Sequence, residues 1–207
     1  MIIIGVKYEK EADGMDKKDV ISFFDKNAPT WDEHMIRDNQ IIDDILDNAG
    51  VSEGKHILDV ACGTGVLIPD YLSRNVASVT AVDISPEMIK IAQKKFPQKN
   101  VSMICGDIET IELSQKYDNI VVYDAFPHFP EPKALIERLV TLLKPGGTLT
   151  IAHGMSREQI NECHMGVAKH VSIGLLHIDE LVQIFKQELE VIVQIADERM
   201  YQVVGKR

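Results

Sequence analysis

The chain has 207 residues, 45% of them hydrophobic, so it can bury a full core, and its length favours one structural domain. Its 22 Lys and Arg residues against 32 Asp and Glu residues give a net charge of −10, which opposes binding to the phosphate backbone of nucleic acids. Three cysteines without paired spacing suggest neither a disulfide framework nor a four-cysteine zinc site, and they fit a reducing, cytoplasmic environment.

The chain begins with a short apolar run, residues 2–6, which lacks the length and the preceding basic residues of a signal peptide. No run approaches the length of a membrane span, so we expect neither export nor a stable membrane anchor. Residues 1–14 are interpreted as a variable N-terminal extension, because Met15 opens a more ordinary beginning. The sequence leaves the oligomeric state open, a homodimer included.

Helices are predicted before the first strand. Apolar residues recur at helical spacing in residues 16–27 and again in residues 33–49, and Gly50 suits the end of a helix.

From residue 56 onward, predicted strands and helices alternate. The strands are expected at 56–61, 78–82, 101–105, 119–123 and 148–153, and the helices at 65–74, 86–95, 132–143 and near 178–187. The final strand-like runs, 191–196 and 200–204, are separated only by residues 197–199, which permits an antiparallel hairpin but no parallel crossover. The pattern predicts an α/β fold with a Rossmann-like, doubly wound, seven-stranded and mostly parallel sheet, whose ligands bind at the carboxyl ends of the strands.

A glycine pair follows the first strand in the sequence DVACGTG. Gly63 and Gly65 let the backbone turn sharply and approach a ligand without interference from side chains. A dinucleotide fingerprint has a third glycine where this chain has Ile68, so the pattern argues against NAD. Taken alone, the pair is also compatible with a plain tight turn before a helix.

Acidic residues follow the second and third strands. Asp83 is placed to accept hydrogen bonds from a ribose diol, and Ser85 supplies the cap of the next helix, which leaves Asp83 free for a ligand. Asp107 can accept a hydrogen bond from an adenine amino group while Ile108 covers the ring. Met88 suits an adenine contact and core packing equally well.

The ordered set of motifs resembles class I S-adenosylmethionine-dependent methyltransferases. DVACGTG is similar to the first motif of that family, AVDISPEMI to the second, GDI to the adenine-side motif, and LLKPGG to the segment before the fifth strand. Residues 24–32 resemble the FD...A..YD element of the ubiquinone and menaquinone biosynthesis subgroup (methyltransferase type 11), with Trp31 in place of the tyrosine. Trp31 can stack on the cofactor or contact a sulfonium through its ring, but it lacks the phenol hydroxyl.

This resemblance implies S-adenosylmethionine as the cofactor and S-adenosylhomocysteine as its product. It implies that residues 1–50 form the extension and cap helices and residues 51–207 the cofactor-binding methyltransferase domain, within one structural domain. Asp59 is expected to order the glycine turn or to meet the amino group of the cofactor. The residues assigned to cofactor binding are Trp31, Asp59, Ala61, Gly63, Gly65, Asp83, Ile84, Met88, Asp107, Ile108 and Tyr123.

The acceptor pocket is expected beyond the fourth and fifth strands. Residues 124–127 read DAFP, where methyltransferases that act on amino groups of nucleic-acid type carry Asn-Pro-Pro-aromatic, so adenine and glutamine-amide acceptors are disfavoured. His128 is a candidate catalytic base, with loop packing or a helix-start contact as the alternative. Phe126, His153 and His164 are assigned to the substrate pocket.

Histidine and cysteine residues concentrate between residues 153 and 177, which raises the question of a metal site. His164 and His170 are six residues apart rather than the four that place two ligands on one helical face, and no C-x-x-C motif occurs. We therefore expect no metal here, and instead a helical cap that encloses a small acceptor and excludes water.

The leading hypothesis is a cytoplasmic enzyme that transfers a methyl group to a small molecule by in-line displacement, mainly through positioning and desolvation. A non-catalytic adenosyl-ligand-binding or regulatory module is the alternative from a different class. An NAD-dependent oxidoreductase is a third hypothesis, and Ile68 together with Gly106 and Asp107 argues against it.

Overall fold

The computed structural model describes residues 15–164 and 169–207, so the proposed N-terminal extension, residues 1–14, lies outside the described residues. The strands are β1 (His56–Val60), β2 (Ser78–Asp83), β3 (Val101–Cys105), β4 (Tyr117–Tyr123), β5 (Leu143–His153), β6 (Glu190–Ala196) and β7 (Tyr201–Lys206). The α-helices are α1 (Lys17–Asn27), α2 (Trp31–His34), α3 (Asn39–Asn48), α4 (Ile68–Ser73), α5 (Pro86–Lys95), α6 (Pro132–Leu142), α7 (Arg157–His164) and α8 (Ile178–Phe185). Single 3-10 turns lie at Ala28–Thr30, Phe126–His128 and Lys169–Val171.

The strands form one seven-stranded sheet in the order β3-β2-β1-β4-β5-β7-β6. The first five strands run parallel to one another, and β7 lies antiparallel between β5 and β6. The expected Rossmann-like sheet with a C-terminal antiparallel hairpin is therefore confirmed. The strand order reverses between β1 and β4, and crevices at such points are where ligands bind in open α/β sheets.

Each face of the sheet carries its own apolar cluster, because helices cover both sides of parallel strands. On one face, α6 and α8 pack fully buried side chains, Leu135, Leu181 and Phe185 among them, against the strands. On the other face, α3 and α4 do the same, for example through Leu46 and Tyr71. Full burial of one such side chain stabilises the fold by about 1.5–3 kcal/mol.

The single helix expected at residues 33–49 is wrong. The segment consists of α2 and α3 with an extended link between them, since Asp38 caps α3 by accepting hydrogen bonds from the backbone N–H groups of Gln40 and Ile41. The preceding residue, Arg37, donates to both carboxylate oxygens of Asp70 at 2.6 and 2.7 Å, which ties the link to α4.

Within the residues that the structure describes, no helix combines the length and the apolar composition needed to cross a bilayer.

Candidate active site

A cavity of about 500 Å³ lies at the carboxyl ends of β1, β2, β3 and β4. Helices α1 and α2 cover it on one side, and α7 closes it on another. Eleven residues expected at the site line this cavity, and they come from separate parts of the chain: Trp31, Ala61, Gly63, Asp83, Ile84, Met88, Asp107, Ile108, Tyr123, His128 and His164. The fold thus brings the residues expected for the cofactor and two of those expected for the acceptor into one cavity.

The glycine turn exposes its backbone to the cavity at Gly63. Gly63 has φ 55° and a Cβ added there would meet no atom within 4 Å, so the position is open for close approach of a ligand. Gly65 has a different role, because a Cβ there would lie 2.7 Å from the Phe96 ring, and Gly65 does not line the cavity. Ala61 adopts φ 55° without being glycine, and such backbone strain is concentrated at functional sites.

Asp83 holds the glycine turn in place. Its Oδ2 accepts a hydrogen bond from the N–H of Gly63 and its Oδ1 one from the N–H of Ser85, each at 2.8 Å. The expectation that Asp83 stands free for a ligand is therefore corrected, although Ser85 does cap α5 as expected, by accepting from Met88 N–H. Each carboxylate oxygen retains acceptor capacity, and Asp83 is 8% exposed at the cavity wall. Burial raises the pKa of this carboxyl, although the amide hydrogen bonds oppose that effect.

Asp59 lies behind the turn rather than on the cavity. It is 2% exposed, and its Oδ2 has no hydrogen-bond partner among the described residues. Burial, together with the nearby charge of Asp83, raises the pKa of Asp59 to about 8, so the carboxyl is mainly protonated at neutral pH. Asp59 does not line the cavity, so the expectation that it contacts the amino group of the cofactor is corrected.

The adenine-side acid is already paired in the described structure. Lys17 of α1 places its Nζ 2.5 Å from Asp107 Oδ2 and 2.5 Å from a Glu109 carboxylate oxygen. Burial lowers the pKa of Lys17, but the hydrogen bonds to both acids outweigh this and raise it above its usual value. The contact between Asp107 and adenine remains a prediction, and Lys17 is a competitor for the same oxygen that the sequence did not reveal.

Aromatic side chains of α1 and α2 cover the cavity. The Phe24 ring contacts Trp31 edge-on, with centroids 5.5 Å apart, and it meets the His128 ring at 5.0 Å. Phe23 and Phe24 line the cavity, although the sequence analysis assigned neither to the site. Both fall in the apolar spacing of residues 16–27, and Phe24 also begins the segment 24–32 that resembles the FD...A..YD element. The available signal was their position in the sequence, at or next to the start of the segment that carries Trp31. Their partial exposure could not be predicted from the helical spacing alone.

Two aspartates attach α1 and α2 to the residues that follow β1 and β2. Asp25 accepts a hydrogen bond from Ser85 Oγ at 2.5 Å, at the start of α5. Asp32 accepts from Thr64 Oγ1 at 2.5 Å and from Lys95 Nζ at 2.7 Å. Partial burial raises the pKa of Asp32, but the hydrogen bonds from Lys95 and Thr64 prevail and lower it below its usual value. Helices α1 and α2 are thus held by the glycine turn after β1 and by α5, which border the cofactor end of the cavity.

Two histidines face each other at the acceptor end. His128 follows β4 and His164 ends α7, and their Nε2 atoms lie 3.5 Å apart. His128 Nδ1 lies 2.6 Å from the carbonyl oxygen of Val171, and His164 Nδ1 lies 2.7 Å from that of Ile160. Burial lowers the pKa of His128 to about 4, so its ring is neutral at neutral pH.

Two residues assigned to the substrate pocket lie elsewhere. Phe126 is 1% exposed and packs in the core beside α6, so it is not part of the cavity wall. His153 is fully buried, with its Nδ1 3.3 Å from an Asp124 carboxylate oxygen and its ring against Tyr201 of β7. Both assignments are corrected. Phe126 packs into the core from the 3-10 turn after β4, and His153, the last residue of β5, lies on the buried face against Tyr201.

The described residues fit S-adenosylmethionine. The open backbone at Gly63 leaves room for a ligand beside the turn, and the cavity volume lies within the range of small-molecule sites. Its acidic lining suits a ligand that carries a positive sulfonium and an ammonium group. The acids in the lining are Asp83, Asp107, Glu109 and Asp124.

Comparison with protein families matches residues 57–147 to the methyltransferase domain family. Among curated proteins, the chain is 36% identical over 141 residues to a malonyl-[acyl-carrier protein] O-methyltransferase of Acetivibrio thermocellus, covering 67% of this chain and 50% of that protein. It is 32% identical over 145 residues to a ubiquinone biosynthesis O-methyltransferase of Coxiella burnetii, covering 65% and 61% of the two chains. The chain therefore spans only about half to three fifths of the length of these relatives.

Solved structures share the fold at low sequence identity. The N-methyltransferase NodS from Bradyrhizobium japonicum, crystallised with S-adenosylhomocysteine, superposes with a TM-score of 0.71 at 17% identity, over 90% of this chain and 97% of that one. Magnesium protoporphyrin IX methyltransferase from Synechocystis, also with S-adenosylhomocysteine, gives 0.70 at 18% identity, over 93% and 100%.

Proposed function

We propose that this chain transfers a methyl group from S-adenosylmethionine to a small-molecule acceptor, because residues 57–147 match the methyltransferase domain family. The observation that carries the proposal is the continuity of the cavity. One space is lined by the glycine turn and Asp83 and also by His128 and His164. A cofactor seated on the turn and an acceptor beside the histidines would therefore meet without crossing protein.

In this proposal the residues of the chain bind, orient and dehydrate the reactants. S-adenosylmethionine supplies a methyl group activated by a positive sulfonium, so positioning is the main task of the protein. Asp83 and the uncrowded backbone at Gly63 border the nucleoside end, while Asp107 is proposed to accept from the adenine amino group. Phe24 and Trp31 exclude water from the reacting centre, which strengthens the electrostatic attraction of the acidic cavity for the cation.

We further propose a cytoplasmic location and a cap formed by the residues before position 51. The location is supported by the three cysteines, Cys62, Cys105 and Cys163, all of which are free, as expected in a reducing compartment. The cap is supported by the placement of α1 and α2 over the cavity.

Cofactor binding is the direct test of this function. Trp31 is the single tryptophan of the chain and lines the cavity, so its fluorescence reports occupancy without a label. We expect S-adenosylmethionine and S-adenosylhomocysteine to change this fluorescence and to bind in calorimetry at submillimolar concentration, and NADH to do neither. Failure of both adenosyl ligands to bind would refute the proposal.

A panel of thiol, amine, phenol and quinol acceptors then separates an enzyme from a binding module. Turnover of at least one acceptor class with methylated product and S-adenosylhomocysteine in equal amounts is the expected result. Tight cofactor binding without turnover of any class would favour the non-catalytic adenosyl-binding module instead.

A further inference from the structure

The two histidines at the acceptor end have defined tautomers. A carbonyl oxygen can only accept a hydrogen bond, so the Nδ1 atom of each ring, at 2.6 Å from Val171 O and 2.7 Å from Ile160 O, must carry the proton. In the neutral rings both Nε2 atoms are then unprotonated acceptors, and they lie 3.5 Å apart at the cavity wall. Two facing lone pairs repel each other unless a proton or a donor group of a ligand lies between or beside them.

The charge of the cavity restricts what that ligand can be. Lys17 is the only lysine or arginine among the described cavity-lining residues, and it is paired with Asp107 and Glu109 on α1's side of the cavity. A carboxylate acceptor would meet acidic side chains and two lone pairs, and the described lining offers no unpaired lysine or arginine to balance its charge. A neutral hydroxyl group instead donates its proton to an Nε2 atom and satisfies the pair.

We propose that His128 and His164 form a paired-imidazole site that binds a neutral hydroxyl group of the acceptor, of phenolic type, and takes up its proton during methyl transfer. This inference rests on the proposed function and specifies its substrate class. Aromatic surroundings favour a ring next to the hydroxyl, because Phe24 contacts the His128 ring edge-on and Phe129 also lines the cavity.

The pair has a chemical role that one histidine alone would not fill. As the hydroxyl oxygen forms its bond to the methyl carbon, the carbon–sulfur bond breaks with its electron pair staying on sulfur, and the hydroxyl proton moves to one Nε2 atom. The other Nε2 atom accepts a hydrogen bond from the new N–H, so the imidazolium charge is stabilised inside a buried site. The products are a neutral ether, a neutral thioether and one protonated histidine.

Nitrogen-15 spectra of the histidine rings of the full chain test the site without any turnover. Signals are assigned with His128→Gln and His164→Gln. His56→Gln serves as the matched control, because His56 lies at the amino end of β1, whereas the cavity lies at the carboxyl ends of the strands. We expect both rings of the pair to be protonated at Nδ1 and unprotonated at Nε2 at pH 7.5. A proton on Nε2 of either neutral ring would overturn the inference.

Ligand probes are then added in the presence of S-adenosylhomocysteine. We expect catechol to shift the Nε2 signals of both rings, whereas benzoate and benzylamine, of similar size but charged, leave them in place at equal concentration. An equal or larger response to either charged probe, or none to catechol, overturns the inference. Movement of both signals with stoichiometric zinc, and catechol binding only when zinc is present, would also overturn it in favour of a metal site.

Kinetics with a phenolic acceptor supply the second readout. His128→Gln and His164→Phe should each lower kcat by roughly 100- to 10,000-fold, the usual contribution of a general base. The affinity for S-adenosylhomocysteine, measured by fluorescence, and the activity of His56→Gln should stay within about twofold of the wild type. Full activity in both pair variants contradicts the inference alone. Loss of S-adenosylhomocysteine binding by the wild type contradicts the proposed function itself, so the two failures are distinguishable.

Discussion

Substitution of Asp83 by Asn tests the role of this carboxylate at the cofactor end. The wild-type carboxylate accepts two backbone N–H groups, from Gly63 and Ser85, at 2.8 Å each, and its remaining capacity is proposed for the ribose hydroxyls. Asn keeps one accepting oxygen and places an NH2 group where the other oxygen stood, so it opposes either a backbone donor or a ribose donor. Loss of one hydrogen bond to a charged group costs about 1.5–3 kcal/mol, which corresponds to a roughly 10- to 150-fold rise in Kd for S-adenosylmethionine.

The rise in Kd is measured by calorimetry and by Trp31 fluorescence at pH 7.5. Asp118→Asn is the matched control, because Asp118 also accepts a backbone N–H at 2.8 Å, from His56, but lies at the amino end of β4, away from the cavity. Urea denaturation establishes that both variants are folded. An unchanged Kd in folded Asp83→Asn would show that Asp83 serves the turn alone and would refute the ribose role.

Three further predictions concern charge. Burial and the Asp83 charge raise the pKa of Asp59 to about 8, so the free energy of unfolding of the wild type should fall as pH rises from the usual carboxyl range toward 8. Between pH 5 and pH 8, urea denaturation should show the free energy of unfolding of Asp59→Asn increasing by about 4 kcal/mol relative to that of the wild type. The same pH dependence in both proteins would contradict this. Burial lowers the pKa of His128 to about 4, so the stability that the neutral ring contributes is fully present above its usual pKa and is lost as pH falls toward 4. Between pH 7 and pH 4, the free energy of unfolding of His128→Gln should therefore fall by about 3 kcal/mol less than that of the wild type. An equal fall in both proteins would show that the ring protonates freely in the folded state. Lys17→Gln should release Asp107 from its ion pair and lower the Kd for S-adenosylhomocysteine by up to about fivefold at low salt, an effect that should vanish at high salt. Calorimetry measures both values. A higher Kd in the variant would instead make Lys17 part of the binding site.

Much of the fold could be predicted because local signals and tertiary structure agree. The helix at Pro86–Lys95 and the strand at Val101–Cys105 have the predicted bounds, since Ser85 and Pro86 mark the helix start and the apolar pattern marks the strand. The break between α2 and α3 was missed, because no glycine or proline interrupts residues 33–49 to mark it. Its cause is the cap formed by Asp38 together with the distant ion pair between Arg37 and Asp70, which helical spacing does not encode.

The candidate site was predictable where it depends on backbone turns at strand ends. Gly63 and Asp83 meet because β1 and β2 are neighbours in register, a consequence of the βαβ pattern. The positions of Phe126 and His153 were not predictable, since they depend on how the chain leaves β4 and on which face of β5 a residue occupies. The His128 and His164 pair depends on the docking of α7, and no local pattern specifies that contact.

The cap has a consequence for the order in which the chain becomes structured during synthesis. Residues of α1 leave the ribosome before their polar partners, which lie far along the chain: Asp25 bonds to Ser85, 60 residues on, and Lys17 to Asp107, 90 residues on. Closing loops of that length costs entropy, which is offset only once the partner residues have been synthesised. The nascent cap should therefore stay unstructured until β3 and its following loop have emerged, and its closure over the cavity should be a late event that ligand binding can favour.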